Sequence, residues 1–462
     1  MTMFFILIVL AALWLAVVWL ALPVDLAALA LPSLVSLHVA PPALAVLSGL
    51  MCKRMWQWNT ARLEKARAGE LAAQETTRLT AEAAAREAEL ARRRAFLDCR
   101  AAWLAVPGKP GWFMDELPQC RILEQDANTL RESGRKAALS SSLREVFDAA
   151  LAQCEAFAFL PLYLSQACRH DELELVRKAW QEALREAFPD GKDAPSPDCR
   201  RLPDADEPLS DRVLALFEND PAMPAMWLVG MDSLLEEGIE DESKTGIEPG
   251  HAVAALVLSR PNLVLVEADA IEKPDMSDPY IPHWERGQGG RDAPQWGSVP
   301  PGLRARLWAL PPFARLHRSR ASFLQINPAR IVTGARQLRK SIDAALMDAA
   351  LRDPPPLGGC KADEPEPLEL GYLIHNCGSD DDPVASKRLV SVTSALRGFD
   401  CRMDLEMTGN VFAEHGDTGA ACPVLMLAEA AMCAAFMQLP VMLAESEGAD
   451  RMCIGIVRPA AG

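Results

Sequence analysis

Between the start Met and Lys53 the chain carries one charged residue, Asp25. Residues 3–23 form an uncharged apolar run long enough to span a hydrocarbon core. Residues 26–50 form a second, broken by Pro32, Pro41 and Pro42, with His38 as its one strongly polar side chain. A cleaved signal would show a basic start and a shorter apolar stretch, and both are missing. The expectation is an anchor over residues 1–52, either two spans joined near Pro23–Asp25 or one span followed by an interfacial segment. Lys53, Arg54, Arg62, Lys65 and Arg67 follow, which places the remainder of a two-span chain on the cytoplasmic side of the inner membrane.

The pattern changes sharply at Lys53. Residues 53–97 are rich in Ala, Glu and Arg, contain no Pro, and pair charges four apart, as at Glu82 and Arg86. Leu63, Leu71, Leu79 and Leu90 do not hold a heptad, so the segment reads as a solvated helical stalk more than as a strong coiled coil.

The net charge of −16 leaves no basic surface for nucleic acid. Twelve cysteines are scattered without a C-x-x-C pair or zinc spacing, so no metal and no cofactor is expected, and the thiols fit a reducing compartment.

Beyond residue 97, short apolar runs alternate with helical periods, the signature of an α/β body. FAFLPLYL (157–164) reads as a strand, residues 171–188 as an amphipathic helix, DRVLALFEN as a helix, and MWLVGM (226–231) as a strand. Residues 251–271 supply two strands. A first half is thus expected over 98–272 and a second over 334–462. The second contains a helix at 334–351, a strand at 368–376, a helix from Asp381 to Leu396 and a closing strand at 451–459. Residues 273–333 separate the halves and are broken by many prolines, as in a long surface excursion. Trp284, Arg286, Trp296, Trp308, His317 and Arg318 make this excursion a candidate partner-binding surface, since exposed Trp and Arg are common anchors. The alternative is that its tryptophans pack it onto the core.

Candidate chemistry falls at two places. His375, in LIHNCGS, ends a strand, where α/β sites are built. Asp417 and Thr418, in EHGDTGAAC, precede a helix start, where backbone N–H groups gather. The same residues also serve as a structural strand end and a plain N-cap.

These motifs carry a resemblance. WLVGMDSLLEEG followed by GIEPGHAVAALVLSR resembles the Gly-x-Asp-Ser turn and PGE motif of β-ketoacyl synthases. LIHNCGS resembles their His-Gly-Thr-Gly strand end, and EHGDTGAACPVLMLAEA the helix start of the thiolase-like superfamily. The resemblance implies a layered α/β thiolase-like body of two pseudo-repeated halves over residues 100–462. It departs where a condensing enzyme keeps its nucleophilic Cys: PDADEPLSD (203–211) has none, and Cys199 sits in SPDCRRLP. Asp417 replaces a neutral amide or imidazole, and His251 replaces an acid. His375, Asp417 and Thr418 are therefore expected as positions of a degenerate site with no catalytic residue. The anchor, stalk, body and PYIPHWER segment together resemble the type VI secretion lipase-adaptor proteins. That implies a non-catalytic adaptor binding a phospholipase effector and a secretion-spike component. The alternative is an acyltransferase or condensing enzyme using Cys168, Cys199 or Cys377.

Overall fold

The computed structural model describes residues 2–21, 31–111, 117–165, 170–189, 195, 198–203, 206–220, 223–235, 247–261, 299–324, 331–354, 368–378, 383–401, 405–448 and 450–460. The chain divides into two units, Met1–Glu89 and Leu90–Gly462.

The first unit holds α1 (Thr2–Ala21) and most of α2 (Leu31–Arg93). α2 is one unbroken helix through Pro41, Pro42 and the composition change at residue 52. A proline removes one helical hydrogen bond and crowds the preceding turn, yet the good helix formers on either side carry the helix past it. Leu13, Trp14 and Val17 of α1 and Pro41, Pro42 and Val46 of α2 border a common apolar groove of about 300 Å³. Phe5, Leu13, Trp19 and Leu20 on α1, and Leu44 and Leu47 on α2, are exposed. Among the described residues, the helix that passes a length-and-composition test for crossing a membrane is Gly419–Met437, and 78% of that window is buried inside the second unit. It is a core helix.

In the second unit the first half runs β1 (Phe96–Val106), β2 (Cys120–Glu124), α3 (Ala127–Ser133), α4 (Arg135–Gln153), β3 (Leu162–Leu164), α5 (His170–Ala187), β4 (Cys199–Arg201), α6 (Leu209–Asn219), β5 (Ala225–Ser233) and β6 (His251–Ser259). A connecting stretch supplies α7 (Pro301–Ala309), β7 (Ala314–His317) and β8 (Arg320–Phe323). The second half continues α8 (Ile331–Asp348), β9 (Tyr372–His375), α9 (Pro383–Arg397), β10 (Thr408–Asn410), α10 (Val411–His415), α11 (Cys422–Met437), β11 (Val441–Glu447) and β12 (Arg451–Pro459).

The described strands form one sheet with the central order β10-β9-β11-β12-β7-β1-β6-β5-β3-β4. The two halves repeat one topology. In the first, β4, β3 and β5 are parallel, β5 pairs antiparallel with β6, and β6 antiparallel with β1. In the second, β10, β9 and β11 are parallel, β11 pairs antiparallel with β12, and β12 antiparallel with β7 and β8. A helix precedes each matching strand: α4 and α8 before β3 and β9, α5 and α9 before β4 and β10, α6 and α11 before β5 and β11.

The alternation of side chains along buried strands sorts the core into layers. Ala101, Trp103 and Ala105 of β1 face α4 and α5, while Ala102, Leu104 and Val106 face α6 and α11. Ile374 and Leu443 face the same central helices, while Leu373, Met442 and Ala444 face α8 and α9. The order is helix, sheet, central helices, sheet, helix. This is the expected layered α/β body of two repeated halves. α11 shows why one helix can be central: all of it but Pro423, Phe436 and Met437 is buried, as befits a helix apolar on every side.

Two local expectations are corrected. Residues 155–159 form a 3-10 turn, and only Leu162–Leu164 of the apolar 157–164 run is a strand, because Pro161 ends the turn before pairing can begin. Residues 299–324 are not surface excursion: α7 packs on the first-half core through Leu307, and β7 bridges the two halves by pairing with β1 and β12. Their prolines lie outside β7 and β8 and so leave the ladders intact. Residues 273–298 and 325–330 of the excursion lie outside the described residues, as do residues 262–271, where the second strand within 251–271 is expected.

Candidate functional site

β9 ends at His375, and α11, the central helix, begins at Cys422. Asn376 joins them. Its Oδ1 accepts the backbone N–H of Ser446 at 2.5 Å, which fixes the amide, and its Nδ2 donates to Cys422 Sγ at 3.4 Å. His375 is buried, and its Nδ1 accepts the Cys377 N–H at 3.4 Å. Burial pushes the Cys422 thiol up to about 12, and the nearby Glu445 carboxylate adds to the rise, while the Asn376 N–H opposes it. Burial also lifts Glu445 itself to about 7, with the Glu447 charge adding and Arg451 opposing. A neutral thiol thus stands beside a carboxyl that changes charge near neutrality.

The starts of α6 and α11 meet next to this group. Ser210 Oγ donates to Ser319 Oγ at 2.6 Å, and these two residues share a cavity of about 10 Å³ with Pro423, Met426, Glu445 and Cys453. That volume is about one water.

The other thiols named from the sequence face elsewhere. Cys199 packs in the outer layer with α5, and Cys377 in the opposite outer layer with α8 and α9; burial pushes each up to about 12. Cys168 lies outside the described residues. Cys422 is the thiol that combines the central layer, a helix start and the strand-end amide. It stands inside the ACPV of the quoted helix-start motif; a search confined to the first half passes over it.

Asp417 and Thr418 do not form a receptive amide pocket. Asp417 Oδ1 accepts the Gly419 N–H at 2.9 Å, and Asp232 Oδ2 accepts the Ala420 N–H at 3.0 Å. Two carboxylates therefore occupy backbone donors of the 3-10 turn Gly419–Ala421 before α11, while Ala421, the N-cap of α11, has no side-chain capping bond. Arg135 holds Asp232 at 2.8 Å and Glu172 at 2.7 Å, which compensates the burial of the acid. Thr418 is fully buried, and its Oγ1 has no hydrogen-bond partner among the described residues. The loop is tied across to residues 248–250 by Asp417 N–H to Glu248 O and Gly250 N–H to Asp417 O. Gly416, at φ 74°, permits that crossing: a Cβ there would stand 2.7 Å from Glu248 O. His251, in place of an acid, meets Ser142 Oγ through Nε2 at 2.9 Å, and burial lowers it to about 4, so it is neutral.

Of the candidate partner surface, Trp284, Arg286 and Trp296 lie outside the described residues. Trp308 is 43% exposed on α7. His317 is buried in β7 against Phe96, and Arg318 is committed to Asp211 and Glu218. These last two hold the bridge between the halves and are not free to anchor a partner.

No family model matches the chain, and no curated protein matches its sequence. Among solved structures, it is similar to the peroxisomal 3-ketoacyl-CoA thiolase of Saccharomyces cerevisiae, described as a five-layered structure of two core domains of identical topology. Identity is 9% over 79% of this chain and 98% of that chain, with a TM-score of 0.41. It is similar also to cerulenin-bound OleA of Xanthomonas campestris, at 11% identity over 79% and 96% with a TM-score of 0.38. A third is the 3-oxoacyl-acyl-carrier-protein synthase III of Aquifex aeolicus, at 9% identity over 78% and 99% with a TM-score of 0.39. The expectation of a non-catalytic adaptor, and of a chain that is no enzyme, rests on the absence of a suitably placed thiol, and that premise is corrected: Cys422 Sγ lies 3.4 Å from the strand-end amide of Asn376.

Proposed function

We propose that the body is an acyl-transferring enzyme on a thiolase-like scaffold, with Cys422 as the nucleophile. The observation that carries this is the Asn376 Nδ2 to Cys422 Sγ contact at the first turn of the buried central helix. An acyl thioester is the fitting substrate class. Glu445, lifted to about 7, takes the thiol proton as Sγ attacks the acyl carbon. The acyl group passes to Cys422 and the departing thiolate takes up that proton, so a new thioester replaces the old one. Asn376 holds the sulfur in place and donates to it, which favours the thiolate as it forms. The adjoining cavity has room for about one water, so the acyl chain must displace lining side chains such as Met426.

The same proposal places the enzyme at the inner membrane, with the body on the cytoplasmic side. α1 carries no charge, its large apolar side chains and those early in α2 are exposed, and the first basic cluster follows at Lys53.

The test is to incubate the full chain with a medium-chain acyl thioester and map the added mass by peptide. Acylation at Cys422, lost in Cys422→Ser, supports the proposal. Acylation confined to another cysteine, or none under conditions where a known acyltransferase is labelled, ends it.

A further inference from the structure

The central helix α11 contains one charged residue, Glu429, and it is 1% exposed. Counting from the two helix starts, Leu209 and Cys422, the residue at the same place in α6 is Leu216. The topology therefore tolerates an apolar side chain there, and a carboxylate in this layer needs a reason of its own. An ion without compensation in such a core costs several kcal/mol, on the order of the whole stability of a domain.

Two further ligand-type side chains meet Glu429. His415, from α10, is fully buried at its side chain, and its Nε2 lies 2.6 Å from Glu429 Oε1. Its Nδ1 has no hydrogen-bond partner among the described residues. Glu414 adds a second carboxylate, and one ligand atom from each of Glu414, His415 and Glu429 lies within 4.8 Å of the others. Glu414 and His415 also line a cavity of about 460 Å³ with Arg131, Glu248 and Gly250, so the cluster has an opening for entry and for further ligands. Glu429 lies seven residues, about two helical turns, beyond Cys422 on α11.

We propose that Glu414, His415 and Glu429 bind one divalent transition-metal cation, with its remaining coordination positions turned to this cavity. Two carboxylates and a neutral imidazole around a divalent ion sum to zero charge, which removes the burial cost that the three groups carry otherwise. Three protein ligands of nitrogen and oxygen type with open positions suit zinc, manganese or iron, and the imidazole disfavours magnesium and calcium. Ligands about 2.1 Å from a tetrahedral ion stand about 3.4 Å apart, so binding opens the His415–Glu429 contact by less than about 1 Å.

Untagged full-length protein, stripped with a chelator and desalted, is titrated with Zn²⁺ and Mn²⁺, and retained metal is counted by elemental analysis. One equivalent per chain is expected, with a rise in Tm and no competition from millimolar Mg²⁺. Glu429→Gln keeps the shape of the core and loses the equivalent. Glu414→Gln, on the cavity wall where folding is not at stake, weakens binding by tenfold or more. Cys422→Ser keeps the full equivalent, which separates this site from the acyl-transfer reading. Absence of stoichiometric binding in the wild type, or full retention in both Glu variants, overturns the proposal. So does loss in Cys422→Ser, which would make the thiol the ligand.

Discussion

The two halves of the body run through the same strands and helices yet bury different things. The first half is built on aromatic rings. Trp227 stacks on Trp103 at 5.3 Å, meets Phe157 at 5.7 Å and Trp180 at 5.4 Å, and donates Nε1–H to Phe157 O at 2.9 Å. In the second half the residues of β11 that face the outer helices α8 and α9 are Met442 and Ala444, with no ring among them. The first half's central helix α6 buries one face, whereas α11 is buried nearly all round. The apolar packing in each half is what the shared topology requires. The polar residues of the second half, Asn376, Cys422, Glu429 and Glu445, are additions that the topology does not ask for. Departures from the pattern a fold needs are where function is written.

The largest expected effect concerns which helix start carries the chemistry. Cys422→Ala should lower acylation by on the order of 10³-fold or more, while Ser210→Ala, at the start of α6, leaves it near the wild-type rate. The reverse result would return the chemistry to the first half. Next is the difference between the cores. Trp227→Ala should cost about 3–5 kcal/mol in denaturant unfolding, and Met442→Ala, on the outer face of β11, about 2–3 kcal/mol. Equal costs would mean that the aromatic cluster is not the heavier core.

Glu445→Gln should lower the acylation rate by about 10²-fold. In the wild type the rate rises as pH passes through about 7, because Glu445 must lose its proton before it can accept one from the thiol. The variant should be flat over that range, and a rise that survives in it would remove Glu445 from the reaction. The smallest effect is steric. A Cβ at Gly230 would lie 2.7 Å from Val424 Cβ of α11, so Gly230→Ala should cost about 1–3 kcal/mol. No loss in thermal midpoint would show that α11 is free to shift away from β5.

Much of the fold is legible in the residues. The period of Val176, Trp180 and Leu184 gives α5, and the apolar runs at 226–231 and 451–459 give β5 and β12. Short strands are the harder case: β3 hides in an apolar run that is mostly a 3-10 turn, and β7 and β8 sit among prolines. Three or four residues carry too little pattern to separate a strand from a loop; pairing partners far away in sequence make the difference. The site followed the same division. His375 and the helix start at 417–422 are visible as motifs, but Asn376 meets both Cys422 and Ser446, and the Glu445 charge reaches the thiol, only because β9, β11 and α11 converge.

By itself the sequence determined the charge-free N-terminal runs, the helical stalk and the alternation of apolar segments, since these follow from hydropathy and local propensity along the chain. Tertiary structure alone decided that β7 joins the halves, that Asp232 and Asp417 occupy the donors before α11, and that the thiol at the strand-end amide is Cys422. Each of those rests on contacts between residues far apart in sequence, whose energies depend on which side chains the sheet brings within a few ångströms.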